Sequence, residues 1–205
     1  MSSFYGNGGG GSGGSSASTF DLSDRIAKGV DNNENIVDGA IKEGNIANNI
    51  ARGVNSHAEG SNTVASSAAS HAEGQGTKAS NFNSHAEGQF TTASGNNSHA
   101  EGNNTTASGE NSHAEGSATI ANHKSQHVFG EFNIEDPSTA TTDKRGNYVE
   151  IVGNGTKAKA RSNARTLDWD GNETLAGSLT LGKGTADEVT ITAAQLTALL
   201  ALLNT

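Results

Sequence analysis

Histidine and glutamate recur together in five identical blocks. The block Ser-His-Ala-Glu-Gly occupies 56–60, 70–74, 84–88, 98–102 and 112–116. Its histidine stands two positions before its glutamate, so both side chains point to the same side of an extended chain. Such a pair could supply a base and its partner, a set of metal ligands, or a structural ladder of hydrogen bonds.

The five-fold equivalence of these blocks favours the structural interpretation, because catalysis needs one distinctive environment. Three chains around an axis would gather three copies of each histidine, and three histidines can bind Zn²⁺. Metal or anion binding along such an axis is therefore the alternative. We predict no catalytic residue, no cofactor and no dedicated metal site. The predicted ladder, placed at an interface between chains, consists of His57, Glu59, His71, Glu73, His85, Glu87, His99, Glu101, His113 and Glu115.

A constant period positions these side chains. The blocks follow one another in an unbroken 14-residue period, which is typical of a solenoid. A threonine (Thr63 to Thr119) and an alanine (Ala65 to Ala121) repeat in the same phase, and Gly, Asn and Ser fill the remaining positions. This pattern predicts two short extended runs and two turns per coil. Parallel strands stack about 4.8 Å apart, so the histidines form one column and the glutamates a second.

The repeat resembles the left-handed parallel β-roll of trimeric autotransporter adhesin heads, the YadA-like head repeat, over about residues 36–130. Those repeats of about 14 residues carry a small-Val-Ala-Ile-Gly block. His and Glu stand here at the Val and Ile positions. The resemblance implies a left-handed roll and a homotrimer, and the two replacements imply a polar surface between the chains.

Composition argues against an ordinary globular core. Apolar residues make up 32% of the 205 residues and aromatic residues 4%, so a lone chain buries little apolar surface. This composition is more consistent with a core that is completed by association of several chains. The net charge of −9 argues against nucleic acid as a partner, and the absence of cysteine excludes disulfides and thiolate metal sites. No stretch reaches the roughly 20 apolar residues of a membrane span, so we expect no membrane insertion.

The segments before the repeat have a different composition. Residues 1–20 combine Phe4 and Tyr5 with a Gly/Ser tract, which predicts a flexible linker behind either an anchor that inserts into a larger assembly or a plain tail. They lack the basic start and apolar centre of a signal peptide. Residues 21–35 form a lead-in. The roll starts near 36, because Ile36-Val37-Asp38-Gly39 stands one period before Ile50-Ala51-Arg52-Gly53.

The far end of the repeat also diverges. His127 and Gly130 keep the period and predict a sixth coil, with Phe129 and Phe132 sealing the stack. Residues 131–191 predict a small antiparallel β module with turns at Asn154-Gly155 and Asp170-Gly171. Trp169 is assigned to its core.

The last segment, 192–205, is predicted as a helix. Thr192 is a candidate N-cap, and Gln195 completes a capping box. The apolar stripe that would join three chains contains Leu196, Leu199, Leu200 and Leu203. The fold class is therefore mainly β: a left-handed parallel β-roll with 14-residue coils, homotrimeric, followed by a small antiparallel module and a C-terminal helix.

Residues 164–172 and the Leu-rich tail resemble the ends of tail-fibre and related appendage proteins of phages and prophages of Gram-positive bacteria. The two resemblances imply a structural fibre or adhesin of a phage or tail-like particle. Its N-terminus would bind a tail or capsid protein of the virion, and the fibre would attach to a glycan or protein of the host-cell surface. The alternatives are a decoration or spacer fibre without binding activity, a fragment of a bacterial surface adhesin, and a carbohydrate-active enzyme.

Overall fold

The computed structural model describes residues 26–30, 36–44, 47–181, 189–192, 194–196 and 198. Phe4 and Tyr5 of the predicted anchor, and Leu199, Leu200 and Leu203 of the predicted helical stripe, lie outside these residues. No helix in the described part has the length and apolar character needed to cross a membrane.

Most of the strands of the described chain form two sheets that face each other along the repeat. The first contains β1 (Ile26–Val30), β2 (Ile36–Gly44), β4 (His57–Ser61), β6 (His71–Gln75), β8 (His85–Gln89), β10 (His99–Asn103), β12 (His113–Ala114), β14 (His127–Glu131), β15 (Tyr148–Asn154), β16 (Asn163–Asp168) and β17 (Glu173–Leu175). The second contains β3 (Ile50–Ala51), β5 (Val64–Ala65), β7 (Lys78–Ala79), β9 (Thr92–Ala93), β11 (Thr106–Ala107) and β13 (Ile120–Ala121). A separate pair contains β18 (Leu179–Leu181) and β19 (Val189–Ile191).

The register between coils confirms the parallel solenoid. From β4 to β14 each strand pairs in parallel with its equivalent one period away, as in His71↔His85 and Ala79↔Ala93. Each coil therefore contributes one strand to each sheet, with a turn on either side, as the sequence predicts. The stack has about six such turns.

Alanine fills the space between the two sheets. The second residue of every strand from β3 to β13 is an alanine that is almost fully buried, from Ala51 to Ala121. A serine and a threonine of each coil flank them, also buried. Ser98 Oγ, for example, donates to the carbonyl oxygen of Gly95 at 2.7 Å, which closes the turn. One methyl group per position makes a thin core.

The glycine that ends each block is required by the backbone. Gly88 has a φ of 98°, and a Cβ atom there would lie 2.2 Å from the carbonyl oxygen of Gly102 in the next coil. No side chain fits at that distance, and L-residues disfavour such a φ. Only glycine therefore fits at this position of the long strand.

The first coil departs from the predicted phase. β2 pairs in parallel with β4 as Ile41↔His57, an offset two positions longer than the period, and it pairs antiparallel with β1. The predicted equivalence of Ile36 with Ile50 is therefore wrong. Asn49 accommodates the change: its Nδ2 donates to the carbonyl oxygens of Glu43 and Gly60, while its Oδ1 accepts from Thr63 N at 3.1 Å.

The sixth coil is followed by a long loop and a further parallel strand. β15 pairs with β14 as Val128↔Ile151, so Ile151 continues the column of core alanines. Buried Asp136 holds the loop, because its carboxylate accepts from the backbone N–H of Ser138 and of Tyr148, each at 2.9 Å. The prediction that Phe129 and Phe132 seal the stack is wrong, since both are only partly buried and β15 covers this end.

Antiparallel pairing follows β15, with β16 beside it and β17 beyond. The Asp170-Gly171 turn joins β16 to β17 as predicted, and Gly171 has a φ of 85°. Asn154-Gly155 does not form a tight hairpin, because residues 155–162 make a wider loop between β15 and β16. Trp169 is not a core residue: it is partly buried under the guanidinium of Arg145, which lies 4.2 Å from the ring centroid.

The capping box after β19 is formed by the two predicted residues. Gln195 N donates to Thr192 Oγ1 at 3.2 Å, and Thr192 N donates to Gln195 Oε1 at 2.8 Å. Ala194, Gln195, Leu196 and Ala198 are helical, and Leu196 is exposed. The length of the helix and its joining of three chains stay predictions.

Candidate functional site

The long strands carry the histidine and glutamate side chains on one outer face. In each block the alanine between them points inward, so the two polar side chains point outward together. His71 and Glu73 are about one-third exposed, at 34% and 37%. We name the histidines from His57 to His127 and the glutamates from Glu43 to Glu115 in these strands the His–Glu face.

The imidazole rings of this face form one continuous stack. Successive centroids lie 4.7–5.0 Å apart and successive planes differ by 0–12°. This spacing is the strand spacing, so the backbone ladder sets it. The stack consists of His57, His71, His85, His99, His113 and His127. The predicted ladder omits His127, although its position one period after His113 could have indicated it.

The glutamates contact the histidines in two ways. Between coils, Glu87 Oε1 lies 3.2 Å from His99 Nε2, and Glu101 Oε1 lies 3.1 Å from His113 Nε2. Within one strand, Glu73 Oε2 lies 3.5 Å from His71 Nε2. Glu43 of β2 extends the column, at 3.4 Å from His57 Nε2. Glu43 was absent from the predicted ladder, because the offset to its partner Glu59 is longer than the repeat period.

Four histidines of this face have an Nε2 atom without a hydrogen-bond partner in the part of the chain that the structure describes. Among the described residues, the Nε2 atoms of His57, His71, His85 and His127 are buried without a hydrogen-bond partner. Those of His99 and His113 have one. A buried polar atom without a partner destabilises the fold, so a group from outside the chain could be accommodated here.

Burial lowers the pKa of His85 below its ordinary value of 6.5. The neighbouring His71 and His99 lower this pKa further, whereas Glu87 and Glu73 act in the opposite direction. The neutral imidazole is therefore the favoured form of His85 at neutral pH, as stacked rings require, since stacked cations would repel one another.

Side-chain amides form two further ladders, one at the ends of the long strands and one along a turn. Gln89 Nε2 donates to Gln75 Oε1 and Asn103 Nδ2 donates to Gln89 Oε1, both at 2.8 Å. On another turn, Asn83, Asn97 and Asn111 are linked in the same way at 3.0 Å. Neither ladder was predicted, although the members of both repeat with the same period as the histidines.

The face also presents possible ligand sets. Four overlapping groups, each with two histidines and the glutamate that follows the first, bring one ligand atom per residue within 4.8 Å. These groups are His57/Glu59/His71, His71/Glu73/His85, His85/Glu87/His99 and His99/Glu101/His113.

The fold and this face define a mainly β protein, a parallel β-solenoid with 14-residue spacing. Comparisons with protein-family models, with curated proteins and with solved structures find no match to the chain.

Proposed function

We propose that the chain is a structural fibre protein in which three copies associate through the His–Glu face. The observation that carries this proposal is the set of four buried Nε2 atoms that the described residues leave without partners, on a face whose side chains are about one-third exposed. Histidines and glutamates stand in neighbouring columns on this face, so a second copy of the same face could supply the missing hydrogen bonds.

The thin core supports association. Each coil buries two alanine methyl groups and little other apolar surface, while ordering the backbone of the whole coil costs considerable chain entropy. Burial of the face between chains would add stability to every coil. In this proposal the antiparallel strands β15–β17 and a helix over 192–205 lock the three chains together.

The fibre attaches a phage or phage-tail-like particle to the host-cell surface in this proposal. Support comes from the resemblance of the repeat to adhesin heads and of residues 164–172 to phage appendage ends. The stack of near-identical coils is a stiff spacer, and the N-terminal segment would anchor it to the particle. The alternative is a spacer fibre without binding activity, with which identical coils are equally consistent.

Mass measurement tests the association. We expect light scattering to give a trimer for the full chain and a smaller species for Glu87→Lys, because three lysines would meet near the axis. Asn96→Lys, which adds a positive charge on an exposed turn, is the matched control and should stay trimeric. A full chain that is monomeric would overturn the shared interface.

Attachment needs a separate measurement. The labelled trimer should bind to bacterial cells, and removal of residues 192–205 should reduce both the mass and the binding. A stable trimer that binds no cells of a broad Gram-positive panel would instead support the spacer fibre.

A further inference from the structure

We propose that the His–Glu face binds divalent transition-metal ions of the zinc class. Each ion would be held by two histidines from adjacent coils and by the glutamate of the first coil. This inference concerns one chain and goes beyond the proposed function, because all the ligands of each ion come from that single chain. It departs from the expectation of no metal drawn from the sequence.

The ligand chemistry selects the class of ion. Each of the four groups offers two imidazole nitrogens and one carboxylate oxygen. Zinc and its neighbours in the first transition row bind this combination, and three protein ligands leave a fourth position for water or another chain. Calcium and magnesium require oxygen ligands almost exclusively, so they do not match the face.

The unpartnered nitrogen atoms are the second observation. Nε2 of His57, His71 and His85 is buried and has no hydrogen-bond partner in the described chain. These histidines belong to the first three groups, and at His57 and His71 the same Nε2 atom is the one that approaches a glutamate carboxylate. A bound ion would use the lone pair that the fold leaves without a partner.

The ring spacing determines how far the site must adjust. Adjacent rings are stacked with centroids 4.7–4.8 Å apart, whereas zinc at about 2.0–2.1 Å from each nitrogen spans about 4.2 Å at most. The two rings that share an ion must therefore tilt toward each other. The outermost pair, His113 and His127, departs from parallel by 12°, so the rings of the stack are not held strictly parallel.

Overlap between the groups fixes the number of ions. Neighbouring groups share a histidine, and one Nε2 has only one lone pair to give. Two adjacent groups therefore cannot both be filled. Of the four overlapping groups, at most two can hold an ion at the same time, so we expect two ions per chain.

Histidine substitutions change this number in a pattern that only the overlapping groups predict. His71→Gln with His99→Gln removes a ligand from all four groups and should abolish binding. His57→Gln with His113→Gln leaves two groups that share His85, so one ion should remain. His85→Gln leaves two groups without a shared residue, so the count should stay at two.

The experiment is a zinc titration of the full chain without an affinity tag, after treatment with a chelator. Calorimetry gives the number of ions per chain, and MgCl₂ serves as the probe that should not bind. Circular dichroism checks that each variant is folded. Glutamine is a suitable replacement for these histidines because Gln75 and Gln89 already form a side-chain ladder between coils. If the His71→Gln/His99→Gln protein does not fold, the change from two ions to one in His57→Gln/His113→Gln supplies the test.

The expected counts are two for the wild type and for His85→Gln, one for His57→Gln/His113→Gln, and none for His71→Gln/His99→Gln. A wild type that binds no zinc, or a His71→Gln/His99→Gln protein that keeps it, overturns the proposal. Light scattering on the same samples reports association independently, so a monomer that binds zinc would refute the proposed trimer and leave the metal site standing.

Discussion

The side-chain amide of Asn133 pairs with both backbone groups of Ile120. Its Oδ1 accepts from Ile120 N at 2.8 Å, and its Nδ2 donates to Ile120 O at 3.2 Å. Ile120 lies in β13, the last strand of the second sheet. Asn133 therefore occupies the place that a seventh short strand would take, and it closes the hydrogen-bond ladder that otherwise ends in open groups.

We expect Asn133→Ala to lower the free energy of unfolding by about 1–3 kcal/mol, because buried groups of Ile120 lose their partner. Asn133→Asp keeps the acceptor for Ile120 N but buries a negative charge against the carbonyl oxygens of Ile120 and Ile134, so it should destabilise the protein more than alanine does. Urea unfolding at a fixed protein concentration is the measurement. The control is Asn96→Ala on an exposed turn, and equal effects of the two alanine substitutions would contradict the capping role.

The buried threonine column offers a substitution that should stabilise the protein. Thr91 is fully buried and its Oγ1 has no hydrogen-bond partner, whereas Thr119 Oγ1 donates to the carbonyl oxygen of Glu115 at 3.0 Å. Valine has the same shape without the hydroxyl. Thr91→Val should raise the free energy of unfolding by about 1 kcal/mol, and Thr119→Val should lower it by about 1 kcal/mol. Changes of the same sign in both variants would refute this difference.

The block glycine is expected to be sensitive for steric as well as backbone reasons. Gly88 and Gly171 both have positive φ, but a Cβ atom at Gly171 would meet nothing within 4 Å. Gly171→Ala should therefore cost about 1–2 kcal/mol from backbone strain alone. Gly88→Ala adds a clash with the next coil and should exceed about 4 kcal/mol. Thermal and urea unfolding of the two variants provide the comparison, and similar losses would show that the clash is relieved by backbone movement.

The repeat could be predicted from the sequence because one constant period fixes which residues stack. The inward Ala100 and outward His99 follow from strand alternation alone, and the structure has both. The ends could not be predicted in the same way. Glu43 joins the glutamate column through the longer offset that Asn49 accommodates, and Ile151 reaches the alanine column through a loop held by Asp136. These placements depend on single polar side chains that act on distant backbone groups, which periodicity does not show.

The partial burial of Trp169 has a similar explanation. An aromatic residue beside a β-turn favours a core position, but the buried core of the described chain consists of alanines and ends with Val128 and Ile151. A large ring does not fit there. Trp169 packs instead beneath Arg145, a contact between distant parts of the sequence.

Acid should destabilise the solenoid through its histidine stack. Because the pKa of His85 in the folded chain lies below 6.5, the folded chain binds fewer protons than the unfolded chain as the pH falls through that value. Stability contributed by the neutral ring is complete well above pH 6.5 and decreases as the pH falls below it. The charged groups that act on His85 are His71, His99, Glu87 and Glu73.

With chelator present, we expect the melting temperature to fall between about pH 7.5 and pH 5.5. His85→Gln should flatten this dependence, because the central ring no longer titrates and the charges on its neighbours lie two coils apart. A melting temperature that stays constant over this range in the wild type, or falls equally in His85→Gln, would contradict the prediction that protonation of His85 destabilises the folded chain.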